Sequence, residues 1–240
     1  MHYLLVHGSW HGMWCWEKLI PYLCKQGHSV TCFDLPGSGS RFSEIDEVNL
    51  ELLIDCVENE INKLSEPFCI VAHSFAGLLV ARLSEKYAYK IHHTFYLAAW
   101  LPREDNSLVD MAVAFNNSNL PSIFIPAENS LWTALDPEGA KELFYHDCSE
   151  EDKQFATSRI KPKNKLPDHT PQQAVNPRYS IVKSTYVLCE KDRVVNPKSQ
   201  LDMATCFGFQ DSQIKNIATG HAPFLAKPLE LANILGQFKS

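Results

Sequence analysis

The chain has 240 residues, 45% of them apolar and 21% charged, with 22 Lys and Arg against 28 Asp and Glu for a net charge of −6. At roughly 150 residues per domain that length is about 1.6 domains, which suggests one α/β domain carrying an insertion. The composition excludes a disordered or collagen-like chain. No nucleic-acid partner is expected because no block of basic residues stands anywhere in the chain. No membrane span is expected either, because the longest apolar run, Phe68 to Ala81, contains His73 and Ser74 and stops at Arg82.

Folding of a chain this long buries roughly 70–75% of its surface, enough for a core without disulfides or metal. The eight cysteines form no Cys-x-x-Cys pair and sit in apolar surroundings, as in Phe68-Cys69-Ile70-Val71. They read as buried reduced thiols. The first residues carry no basic leader and no small-residue cleavage site, so the expectation is a cytosolic protein.

Tyr3-Val6 reads as a strand ending at His7-Gly8. Trp14 to Gln26 has apolar residues at helical spacing and stops at Gly27. Ser29 to Phe33 is a second strand, closed by the turn chemistry of Asp34-Leu35-Pro36-Gly37-Ser38-Gly39. Asn49 to Leu64 repeats the helical period, Phe68 to Val71 is a third strand, Gly77 to Tyr87 a helix and Thr94 to Ala98 a fourth strand. Strands alternating with helices of this length indicate a parallel sheet covered on both faces. From Leu101-Pro102 to about Arg178 the chain is rich in Pro, Asn and charge, and no strand stands out. Glu138-Phe144 and Ser149-Arg159 read there as short helices. The parallel pattern resumes with a strand at Thr185-Cys189, a helix from Pro197 to Phe207, a strand at Ile214-Ala218 and a closing helix from Pro223 to Phe238. A core of residues 1–101 and 179–240 is thus interrupted by a mainly helical segment, 102–178, beside the crevice where such sheets bind ligands, a candidate lid.

The sharpest local signal is Ile70-Val71-Ala72-His73-Ser74-Phe75-Ala76-Gly77. A serine on a strained strand-to-helix turn needs small residues two before and two after it; an N-cap serine also suits the position. Serine needs a base oriented by a carboxylate, following it in the order acid, then histidine, each in a loop leaving a strand. Asp192 follows the strand 185–189, and His221 follows the strand 214–218. His73 is the poorer base, because on the turn its side chain points away from the hydroxyl, and it reads as structural. An oxyanion hole needs two backbone N–H donors, one from the residue after the nucleophile and one from the loop after the first strand. Phe75 and Ser9 are the candidates, with Gly8 expected to let the chain turn tightly. His7 and His11 are not expected to bind zinc, since they lie on a Gly-broken loop without a third ligand.

Val6-His7-Gly8-Ser9-Trp10-His11-Gly12-Met13-Trp14-Cys15-Trp16 resembles the opening of the α/β-hydrolase branch that holds plant methyl-ester esterases, hydroxynitrile lyases and bacterial pyrethroid-hydrolase-like carboxylesterases. The resemblance continues through Asp34-Leu35-Pro36-Gly37-Ser38-Gly39 and Phe95-Tyr96-Leu97-Ala98-Ala99-Trp100-Leu101-Pro102, and into Phe144-Tyr145-His146-Asp147-Cys148-Ser149. It implies an α/β-hydrolase fold with a helical lid. It also implies Ser74 as nucleophile, His221 as base, Asp192 as its orienting acid and the amides of Ser9 and Phe75 as oxyanion donors, with no cofactor. Ala72 and Ala76 depart from the glycines usual in that branch. Its lyases carry threonine where this chain has Gly8 and lysine where it has Ala222, so ester hydrolysis is favoured over cyanohydrin cleavage. A ligand-binding protein on the same scaffold is a further alternative. Trp10, His11, Trp100, Phe115, Phe124 and Trp132 are candidate substrate-binding residues for a small to medium, mostly apolar ester. The apolar content of the lid permits a homodimer.

Overall fold

The first strand forms where the sequence is apolar on both faces. Tyr3, Leu4, Leu5 and Val6 are fully buried in β1 (His2–Val6), as expected for a parallel strand covered by helices on either side. The structure, a computed structural model, describes residues 1–65, 67–115, 119–176 and 183–237.

After β1 comes a 3-10 turn (Met13–Trp16) and then α1 (Ile20–Lys25), where the sequence had suggested one helix from Trp14 to Gln26. Pro21 accounts for the split: lacking an N–H, it is tolerated in the first turn of a helix but not in its interior. β2 (Ser29–Cys32), α2 (Leu50–Lys63), β3 (Phe68–His73), α3 (Ala76–Ser84) and β4 (Ile91–Leu97) follow the expected alternation. Asn49 caps α2 by accepting the Leu52 N–H, and the helix buries Leu50, Leu53, Ile54, Val57 and Ile61 against the core.

The insertion departs most from expectation. It contains α4 (Leu108–Ala114), opened by a capping box in which Ser107 and Asp110 satisfy each other's backbone N–H groups. It also contains β5 (Phe124–Ile125), β6 (Trp132–Leu135), α5 (Pro137–Leu143), α6 (Glu150–Thr157), β7 (Lys163–Asn164) and α7 (Leu166–His169). β5, β6 and β7 form a small antiparallel sheet that the sequence reading missed. β5 and β7, two residues each, cannot display an alternating pattern, and β6 offers only four residues, Trp132 to Leu135, with apolar Ala134 and Leu135 adjacent. The expected lid boundary at 178/179 lies outside the described residues.

β8 (Ser184–Cys189), α8 (Pro197–Phe207) and β9 (Ile214–Ile217) complete the sheet. The closing helix is two pieces, α9 (Pro223–Ala226) and α10 (Pro228–Leu235). Pro228 forces Lys227 out of the helical region, to φ −143° and ψ 60°. The end expected at Phe238 lies outside the described residues.

The central sheet has the order β2-β1-β3-β4-β8-β9 with every pairing parallel. The chain moves from β1 to β2 in one direction and then crosses back to lay β3 on the other side of β1. That reversal makes the crevice between the carboxyl ends of β1 and β3 the place where an open α/β sheet binds its ligand. Cys15, Cys56, Cys69, Cys148 and Cys189 are buried free thiols, whereas Cys24 and Cys206 are exposed, contrary to the expectation of uniform burial. Among the described residues no helix is long and apolar enough to cross a membrane.

Candidate active site

Ser74 sits between β3 and α3 at φ +54°, a left-handed conformation costly for a residue with a Cβ. The turn is held from both sides: the Ser74 N–H donates to the Leu97 carbonyl, and the Ser74 carbonyl accepts from Gly77 and Trp100, each at 3.0–3.1 Å. Ala72 and Ala76 are fully buried and compatible with this geometry. The close approach falls instead on Gly77, where a Cβ would lie 2.2 Å from the Trp100 carbonyl oxygen.

The loops after β8 and β9 bring Asp192 and His221 to the serine. Ser74 Oγ lies 3.1 Å from His221 Nε2, and His221 Nδ1 lies 2.7 Å from Asp192 Oδ2. All three are buried. The Asp192 carboxylate is anchored independently of the imidazole, since Oδ1 accepts the N–H groups of Val194 and Val195 and Oδ2 accepts from Gln200 Nε2 at 2.9 Å. Gln200, fully buried on α8, also donates to the Val195 carbonyl at 2.6 Å, and its Oε1 accepts the Cys189 N–H at 3.0 Å. The sequence reading missed this residue. Its signal is a glutamine in helical register with the buried Met203, Ala204 and Phe207. The insertion supports the same loops. His146 donates through Nε2 to the Lys191 carbonyl at 2.8 Å, and Asp147 Oδ2 accepts the Gly220 N–H at 2.7 Å. These backbone groups precede Asp192 and His221 by one residue each.

Gly8 places the first loop against the turn. A Cβ there would lie 2.8 Å from Ser74 Cβ and 3.1 Å from the His73 carbonyl oxygen, so glycine is needed for close approach, not for the tight turn expected from sequence. The N–H groups of Ser9 and Phe75 donate to no protein acceptor among the described residues, which leaves both available at the crevice.

Three further histidines surround the site without joining it. The His7 ring donates from Nδ1 to the Gly8 carbonyl and accepts the Leu35 N–H at Nε2. The His11 ring donates from Nδ1 to the Ser9 carbonyl, and its Nε2 accepts from the Tyr145 hydroxyl. His73 donates from Nε2 to the His221 carbonyl at 3.0 Å, a contact that ties the turn to the loop after β9. Burial holds all three imidazoles below their ordinary range, His11 at about 3. With both nitrogens of His7 and of His11 engaged, neither ring has a lone pair for a metal.

A cavity of about 560 Å³ opens over Ser74, within the size range of small-molecule sites. Ser9, Trp10, Phe75, Trp100, Phe124 and Phe144 line it, with a wall from Leu108, Val109, Ala112 and Val113 of α4 and a polar edge from Lys165, Asp168 and His169. Three candidate substrate-binding residues are elsewhere. His11 lies behind the cavity wall, 2% exposed, its ring against those of Trp14, Phe144 and Phe224. Phe115 flanks a separate depression with Leu101, Met203 and Phe207, where its carbonyl accepts from the Ser199 hydroxyl. Trp132 turns away to donate to Asp46 Oδ1 at 3.0 Å and to pack edge-on against Phe42. Sequence shows that an aromatic residue is in the insertion but not which face it takes. The α4 wall was not anticipated, although Ser107-x-x-Asp110 before an apolar run is a helix-start signal.

A family model described as the alpha/beta hydrolase family matches residues 3–234. The chain is 29% identical to Methylesterase 10 of Arabidopsis thaliana, over 98% of this chain and 90% of that protein. It is 27% identical to Methyl jasmonate esterase 1 of Vitis vinifera, over 98% and 95% respectively. Among solved structures it superposes on polyneuridine aldehyde esterase with a TM-score of 0.83 at 25% identity, covering 98% of this chain and 97% of that one. The pyrethroid hydrolase of Sphingobium faniae gives a TM-score of 0.87 at 20% identity, covering 99% and 96%.

Proposed function

The chain belongs to the alpha/beta hydrolase family, and on that premise we propose that it is a carboxylesterase-type serine hydrolase. Its substrate is a small to medium, mostly apolar carboxylic ester, cleaved through an acyl-enzyme. The observation that carries this reading is the buried relay from Ser74 Oγ to His221 Nε2 at 3.1 Å and from His221 Nδ1 to Asp192 Oδ2 at 2.7 Å, facing an apolar cavity. The relatives named as esterases support it as well.

In the proposed mechanism His221 takes the hydroxyl proton of Ser74 as the oxygen attacks the ester carbonyl, while Asp192 stabilises the imidazolium. The amides of Ser9 and Phe75 hold the developing oxyanion, each worth about 2.7–4 kcal/mol by analogy with single-donor deletions. His221 returns the proton to the departing alcohol, then activates a water that releases the acid. Residues 102–178 act as the lid, and its aromatic side chains Phe124 and Phe144 exclude water from the reaction.

A panel of p-nitrophenyl esters of increasing acyl length tests this reading. Turnover is expected for short and medium chains, with Ser74→Ala lower by at least about 10⁴-fold. Undiminished turnover in that variant would remove the assignment. Release of an aldehyde and cyanide from a hydroxynitrile, without ester turnover, would favour a lyase instead.

A further inference from the structure

The loop that carries Ser9 is held only partly from within, where the rings of His7 and His11 donate to the Gly8 and Ser9 carbonyls. Trp10 adopts φ +61°, a conformation that a bulky side chain keeps only when its surroundings impose it. Further restraints come from the insertion. The Lys161 N–H donates to the Trp10 carbonyl at 3.2 Å, and Trp10 Nε1 donates to the Thr133 carbonyl at 3.0 Å. The ammonium of Lys163 donates to Ser9 Oγ at 2.8 Å.

Lys163 is unlike a surface lysine. Its side chain is only 12% exposed, pairs with Asp168 Oδ1 at 2.5 Å, and places Nζ 4.7 Å from the ring centroid of Trp10 and 5.0 Å from that of Phe75. A largely buried ion pair is a poor source of stability, because desolvation offsets most of the attraction. This one sits where Ser9 and Phe75 meet. Beside the loop lies a hollow of about 40 Å³ bordered by Gly8, Leu35, Gly37 and Pro167, so the loop is not close-packed on that side.

We propose that Lys163, clamped by Asp168, is a positioning residue through which the insertion fixes the Ser9 amide for oxyanion binding. The oxyanion hole is then complete only while the insertion is seated. This inference rests on the reading of Ser9 as an oxyanion donor given above.

The test is a double-mutant cycle between Lys163→Met and Ser9→Ala, read with p-nitrophenyl esters and with a trifluoromethyl ketone, whose serine adduct carries an oxyanion. Each single variant is expected to lower kcat about 10- to 30-fold with KM within twofold, and to weaken the ketone in proportion. The double variant is expected to lose no more than either single one, and Lys163→Arg to recover most of the rate. A Lys163→Met enzyme within twofold of the parent, or losses that multiply in the double variant, would overturn the proposal. Should Lys163→Met not fold, Ser9→Ala carries the test: unchanged ketone affinity in that variant overturns the proposal. Ser74→Ala, run alongside, separates the two levels. If it is inactive while Lys163→Met is normal, only this inference fails; if it remains active, the reading of the site fails with it.

Discussion

Replacing Gln200 by leucine is expected to damage stability more than chemistry. The change leaves two buried backbone groups, the Cys189 N–H and the Val195 carbonyl, without their partners, at about 1–3 kcal/mol each. It also removes one hydrogen bond to the Asp192 carboxylate, worth about 1.5–3 kcal/mol for a charged acceptor. The apolar side chain recovers about 1.5–3 kcal/mol by its own burial. At the midpoints of these ranges the net loss is about 4 kcal/mol, against a total of about 5–15 kcal/mol for a typical domain. At about 2–4 °C per kcal/mol for a chain of this size, Tm is expected to fall by about 8–16 °C. Because Oδ1 of Asp192 remains held by Val194 and Val195, kcat below the melting range is expected to fall by only about tenfold or less. Urea unfolding followed by tryptophan fluorescence, with ester turnover measured at low temperature, reads both quantities. A variant within about 1 kcal/mol of the parent would refute the argument that Gln200 satisfies the interior around the acid.

Asp147→Ala removes the acceptor of the Gly220 N–H and is expected to lower kcat about tenfold with little change in KM, since His221 follows that amide; an unchanged kcat would show the contact to be incidental. Stability is expected to fall on acidification from about pH 6.5 towards pH 4. Burial depresses His7, His11, His73 and His93 in the fold, His11 to about 3 and His93 to about 4, so the unfolded chain takes up protons that the fold refuses. Each contributes a slope of up to about 1.4 kcal/mol per pH unit, and a urea midpoint that does not move between pH 7.5 and pH 5 would contradict this.

Much of the fold was legible because parallel strands buried on both faces read as continuous apolar runs, and Phe68 to Val71 or Thr185 to Cys189 can be little else. The residues of the relay were legible for a related reason: each follows such a strand directly, so finding the strands locates the loops. The insertion resisted the same treatment. Its strands are too short to show a period, and its aromatic residues divide between the cavity (Phe124, Phe144) and anchoring contacts elsewhere (Trp132, Phe115) according to packing that no local pattern records. Lys163 was invisible for the opposite reason, since a lysine between Pro162 and Asn164 looks like solvent-facing punctuation until the ion pair with Asp168 is seen.

The cavity over Ser74 has one wall that also faces solvent. Contacts of Thr133 with Trp10, Trp132 with Asp46, Asn164 with Ile45 and Asp147 with Gly220 tie the segment between β4 and β8 to the core. At the edge formed by α4 and α7, Val109 and Val113, both cavity-lining, are 39% and 74% exposed. Both side chains thus belong at once to the outer surface and to the lining of the cavity over Ser74. They stand on a helix that carries none of Ser74, Asp192 and His221, so a substitution at either reshapes the rim of the cavity and leaves that hydrogen-bonded trio in place.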